Sequence, residues 1–123
     1  MRLVDQAGFS HGMRLFNAAE FYAAHEVWED VWRPLTASGE KKFLQGLIQI
    51  AVGLHHHSTG NKAGALSLLR RGGRNLREYR TSGAKIDVDE FLEQVKSWYD
   101  ALTHGSPLPP LPKIARLEDE EIV

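Results

Sequence analysis

The sequence predicts an all-α protein, a compact single-domain bundle of about five helices around a central apolar third helix. Three observations carry this. Apolar residues recur with a helical period along the chain, no run of β-branched residues alternates as a strand would, and Pro34, Gly39, Gly60, Gly83 and Gly105 punctuate it into stretches of helical length. At 123 residues the chain is one domain by length. Folding at this size hides roughly two thirds of the surface that the unfolded chain exposes, enough for a core without disulfide or metal staples.

The elements follow in order. A short first helix is expected over residues 6–17. The second runs over 20–33, because Pro34 disfavours a helical residue before it and Leu35-Thr36-Ala37-Ser38-Gly39 is loop chemistry. The third covers 40–58 and stops before Gly60, and Asn61 caps a fourth that reaches residue 80. Thr81-Ser82-Gly83 breaks the chain. Asp87-Val88-Asp89-Glu90 has the form of a capping box, so the fifth helix begins at 88 and runs to 103 with Phe91, Leu92, Val95, Trp98, Tyr99 and Leu102 as its stripe. The division is a helical domain over 1–104 and a proline-rich, then acidic, tail over 105–123, on which no helix is expected.

Composition excludes several functions. No cysteine means no disulfide, thiolate ligand or thiol nucleophile, and the chain suits a reducing compartment, with the cytoplasm as the expected location. The N-terminal stretch lacks the apolar run of a signal peptide, and no segment approaches membrane-spanning length. A net charge of −1 argues against a strongly basic nucleic-acid binder. Homo-oligomerisation is left open.

One stretch carries chemistry. Ala24-His25-Glu26-Val27-Trp28-Glu29-Asp30-Val31-Trp32 comes close to the His-Glu-x-x-His zinc-protease pattern and then departs from it, with Glu29 where the second imidazole would stand. On a wheel of about 100° per residue, Phe21, Ala24, Trp28, Val31 and Trp32 share the apolar face. His25 lies on its flank, and Glu29 follows one turn on as an i,i+4 neighbour.

The third helix is apolar over about half its circumference, apart from a polar row of Gln45, Gln49 and His56 and a smooth row of Gly46 and Gly53 where a neighbouring backbone can approach. Pairing helices two and three about the 35–39 loop sets His25 opposite Gln49 and Glu29 opposite Gln45. The expected site is therefore a cluster of four polar groups between these helices, within apolar walls that include Trp28 and Trp32. His56 sits about 10 Å further along the axis, at the edge of this set.

His25-x-x-x-Glu29-x-x-Trp32, Phe43-Leu44-Gln45-Gly46-Leu47-Ile48-Gln49-Ile50-Ala51 and Gly60-Asn61-x-x-Gly64-Ala65, with the preceding Phe16-Asn17 and Phe21-Tyr22, resemble the domain of unknown function 309 family of small bacterial and archaeal helical proteins. The resemblance covers roughly residues 9–80. It implies an all-helical fold and a metal-binding role for the His-x-x-x-Glu-x-x-Trp motif, which adds Asn17 to the expected lining. Three readings of His25 and Glu29 stay open: a hydrogen-bonded polar clasp, a site for a divalent metal such as zinc, and acid–base chemistry by His25 with Glu29 orienting it.

Elsewhere, His55-His56-His57 cannot all face one ion, since consecutive helical residues point about 100° apart. Arg70, Arg71, Arg74 and Arg77 share the outer face of the fourth helix, where Lys62 and five arginines against Glu78 give residues 61–80 a charge of +5. That face could take an anion, but a solvated or carboxylate-paired surface is the expectation. Ser106-Pro107-Leu108-Pro109-Pro110-Leu111-Pro112 holds two P-x-x-P registers and is expected to pack on the protein's own surface. Two functional classes stand: a small metalloprotein with its site between helices two and three, and a non-catalytic helical module that binds a protein or an anion.

Overall fold

In the computed structural model, which describes residues 2–82 and 85–117, the chain forms helices α1 (Ala7–Asn17), α2 (Phe21–Trp32), α3 (Ser38–Ser58), α4 (Lys62–Glu78) and α5 (Val88–His104). Short 3-10 turns cover Leu3–Asp5 and Arg80–Ser82. The described residues contain no strand, only one isolated antiparallel bridge between Ile86 and Arg116. The all-α expectation holds.

Helix boundaries follow the local chemistry. Asn61 Oδ1 accepts from Gly64 N at 2.9 Å and Asp87 Oδ1 from Glu90 N at 3.1 Å, so both expected caps form. Gly105 ends α5 at φ 66°, the left-handed conformation that glycine adopts without penalty. The third helix begins two residues earlier than its sequence pattern suggests, with Ala37 as N-cap; Glu40 in its first turn accepts from the backbone N–H of Leu3 at 3.0 Å.

α3 lies at the centre, packed on α2 along one side and, most extensively, on α4 along the other. Phe43, Leu44, Leu47, Ile50 and Ala51 are fully buried along it. An aromatic hub joins the remaining helices: the Phe16 ring lies 5.0 Å from Phe21, 5.5 Å from Phe91 and 5.9 Å from Trp28. Trp28 presses on the backbone of α1, where a Cβ on Gly12 would come within 2.1 Å of its Nε1, and its N–H donates to the Phe9 carbonyl at 3.1 Å. On the α4 side, a Cβ on Gly46 would come within 2.9 Å of the Gly72 carbonyl oxygen, and one on Gly72 within 2.7 Å of the Gly46 oxygen. The smooth row on α3 thus marks the seam with α4.

Residues 105–117 have no helix, and they pack on the bundle. Pro112 and Ile114 are buried. Asn17 clasps Ile114 in both directions, donating to its carbonyl at 2.9 Å and accepting from its N–H at 2.7 Å, while Gln94 does the same with Lys113 at 3.1 and 2.8 Å. Trp98 donates to the Pro110 carbonyl at 2.9 Å. The proline-rich segment therefore covers its own surface, as expected from the sequence; the acidic residues 118–123 lie outside the described residues.

Candidate functional site

His25 and Glu29 sit one turn apart on α2, and their side chains meet: His25 Nε2 is 3.1 Å from Glu29 Oε1. The other ring nitrogen, Nδ1, is 3.1 Å from the Tyr22 carbonyl oxygen. Both partners are acceptors, so a neutral ring donates to one of them and the imidazolium to both. The backbone carbonyl thus stands against one side of the ring and the Glu29 carboxylate against the other. Side-chain exposures of 18% for His25 and 40% for Glu29 put the pair at the surface. Arg33 Nη2 reaches the other Glu29 oxygen at 3.5 Å while its Nη1 holds Asp30 at 2.6 Å. The Tyr22 ring stands 5.1 Å from the rings of both His25 and His55, a row of three rings that spans α2 and the end of α3.

The expected cluster of four polar groups does not assemble, and the fold contains no buried polar side chain among the described residues. Gln49 turns to α4, where its Oε1 accepts from Asn75 Nδ2 at 2.8 Å. The reason lies in the α3 wheel: Gly46, Gln49 and Gly53 are one stripe at i, i+3 and i+7, and both glycines face α4, so Gln49 goes with them. Gln45, half-buried, lines a small hollow with Trp32, Thr36, Ser38, Lys41 and Lys42.

The other expected lining residues have separate tasks. Trp32 is half-buried, donates to the Lys41 carbonyl at 3.0 Å and carries the Lys41 ammonium 4.2 Å above its ring, which ties the end of α2 to the start of α3. Trp28, at 0% exposure, belongs to the core. Asn17 holds the tail. His56 is at the α3 terminus, its Nδ1 3.4 Å from Asn61 Nδ2, and His57 meets the edge of Trp98 at 5.0 Å, so the three histidines diverge as expected. Sequence reasoning missed Tyr22, although a ring three residues before His25 on the same helix was the available signal.

The metal-binding role implied by the motif can be tested against these atoms. An ion bonded to imidazole nitrogen and carboxylate oxygen at about 2.0–2.2 Å holds the two donors about 3 Å apart. Nε2 and Oε1 have that spacing, and an Nδ1–H donated to Tyr22 O is the outer hydrogen bond that fixes a ligating ring. Two donors is the whole set, since no group of three His, Asp or Glu side chains comes together among the described residues.

A second feature lies on the opposite side of α4. A groove of about 420 Å³ between α4 and α5 is lined by Arg70, Arg74, Arg77, Lys96, Tyr99 and Asp100 over a floor of Leu69, Gly73, Leu92 and Val95. Lys96 Nζ donates to Asp100 at 2.8 Å, and this hydrogen bond, with the charge behind it, holds the Lys96 pKa above the ordinary lysine value. Among the described residues Arg70, Arg71, Arg74 and Arg77 have no carboxylate partner. All four are exposed along the outer face of α4.

Fold and motif together define the class: a small all-α protein with an His-x-x-x-Glu pair displayed on its second helix. Residues 9–68 match the family model described as a domain of unknown function (DUF309), and over this stretch the chain belongs to that family. It is 32% identical over 85 residues to the uncharacterized protein YpuF of Bacillus subtilis (strain 168), a match covering 68% of this chain and 49% of that one. It is 34% identical over 83 residues to an uncharacterized protein of Aquifex aeolicus (strain VF5), covering 65% of this chain and 25% of the other. The match therefore spans half or less of the length of these relatives. No helix among the described residues is long and apolar enough to cross a membrane.

Proposed function

We propose that the chain is a small helical metal-binding protein in which His25 and Glu29 hold a divalent ion such as zinc, with water filling the remaining positions. The observation that supports this is the 3.1 Å separation of Nε2 and Oε1 on a ring already fixed at Nδ1 by the Tyr22 carbonyl. With two protein donors the ion exchanges readily, and its open positions face solvent. The test is calorimetric titration of zinc into untagged, chelator-free protein. One equivalent is expected to bind, and Glu29→Gln, which keeps shape and removes the anionic oxygen, is expected to weaken binding by at least about 10- to 100-fold without unfolding the protein. Equal affinity in the two proteins, or no binding in either, would overturn the proposal.

A second reading, a non-catalytic helical interaction module, is favoured by a different observation: the α4 arginines line a groove and no carboxylate neutralises them among the described residues. This reading leaves His25 and Glu29 as a surface clasp, and it predicts that binding survives their replacement.

A further inference from the structure

The two glycines in the middle of α4 behave differently. Gly72 lies so close to α3 that a Cβ would meet the Gly46 oxygen at 2.7 Å and Ile50 Cγ1 at 2.7 Å, so the fold itself demands glycine there. Gly73 is buried at the floor of the α4–α5 groove, yet a Cβ placed on it would find no atom within 4 Å. A glycine inside a helix is less favourable than alanine, and no close contact among the described residues recovers that loss. Its missing side chain deepens the groove at a place that no described residue of this chain fills.

The groove walls say which molecule. α4 contributes Arg70, Arg74 and Arg77, and beyond them Arg80, which pairs with Asp89 where the two helices meet. The facing wall of α5 is mainly acidic, with Asp89, Glu90, Glu93 and Asp100 around Lys96. A purely acidic partner would satisfy the first wall and be repelled by the second, and a basic one the reverse. An occupant that suits both must carry a basic and an acidic row side by side. A second copy of this chain does so by symmetry: a two-fold axis parallel to the helices lays α4 of one copy over α5 of the other, whereas an axis across them would set arginine against arginine.

We propose that the α4–α5 groove is a self-association surface, in which two copies pack groove to groove over Gly73, with Arg77 of each opposite Glu93 of the other. This rests on the interaction-module reading and names its partner. Half-buried Leu92 and Tyr99 supply the apolar seam, and the net charge of −1 opposes pairing little. The contact is modest and electrostatic, so it forms a reversible dimer that salt weakens.

Sedimentation equilibrium of the full chain tests this. The dimer fraction is expected to rise between about 10 µM and 1 mM, the range of small transient interfaces, and to fall as salt increases from about 0.05 to 0.5 M. Gly73→Leu fills the floor and is expected to abolish the dimer while the melting temperature does not drop. Arg77→Glu and Glu93→Arg, each alone, are expected to be monomeric, and their equimolar mixture to dimerise, because in the mixed pair both cross-contacts regain opposite signs. This mixing experiment decides the matter even if the leucine variant misfolds. A wild-type chain that stays monomeric throughout, or a mixture that stays monomeric while the wild type dimerises, overturns the proposal. If the monomeric chain binds sodium tripolyphosphate at a saturable site lost in Arg74→Glu, the self-association inference falls and the module reading stands; if it binds nothing, both fall.

Discussion

The two sides of α4 are built from adjacent glycines and come out opposite. On the α3 side, Gly72 and Gly46 let two backbones approach until no side chain fits between them, and the polar groups present, Gln49 and Asn75, bond across the seam at 2.8 Å. On the α5 side, one residue further on, Gly73 faces open space, and Arg70, Arg74 and Arg77 have no carboxylate partner among the described residues. What differs is the neighbour and not the residue. α3 is apolar around half its surface and is drawn in by burial, while α5 buries Phe91, Val95 and Trp98 and turns its charged flank to the groove.

Replacing Gly72 with alanine breaks the closed side and should have the largest effect. The new methyl meets backbone at 2.7 Å, so α3 and α4 must separate. A loss of about 1–3 kcal/mol is expected by urea denaturation, as for other overpacked sites. A Gly72→Ala protein of undiminished stability would mean that the seam is looser than described.

The same substitution one residue later should have the opposite sign. Gly73→Ala enters empty space, and the gain in helix propensity is expected to raise stability by up to about 1 kcal/mol, measured at low protein concentration. A destabilised Gly73→Ala would show that the groove is closed by some internal contact.

The smallest effect belongs to Lys96 on the groove wall. Its pKa is raised above 10.5 by the hydrogen bond and charge of Asp100, so the pair favours the folded state fully below the ordinary lysine pKa, and that contribution is lost as pH rises through the raised value. Asp100→Asn should bring the Lys96 titration, followed by NMR, back toward the ordinary lysine value. The side chain is exposed, so melting near neutral pH should barely change. A Lys96 titration unmoved by Asp100→Asn would place the cause elsewhere.

Much of this architecture is legible in the residues. The caps at Asn61 and Asp87, the stop at Gly105 and the apolar stripes are local, short-range signals, and all appear where they are expected. The contact between His25 and Glu29 is local too, since i,i+4 neighbours on a helix meet whatever the helix packs against. The site around that pair was not legible. Pairing α3 with α2 alone sets Gln45 and Gln49 against it, but a central helix has two neighbours, and the close approach at Gly46 and Gly53 gives the Gln49 stripe to α4. Asn17 and Trp28 likewise could not be assigned from sequence. One holds a segment 97 positions away and the other an α1 carbonyl 19 positions away.

By itself, then, the sequence determined five helices, the caps at Asn61 and Asp87, and a single His–Glu pair one turn apart, because helix propensity, capping and i,i+4 contact depend on residues within a few positions of one another. Tertiary structure alone decided which face of α3 meets which neighbour, that the proline-rich segment through Ile114 is fastened to Asn17, and that Gly72 is enclosed while Gly73 is open. Those outcomes depend on how rigid helices share a limited interior, and such packing is fixed by residues far apart in the chain.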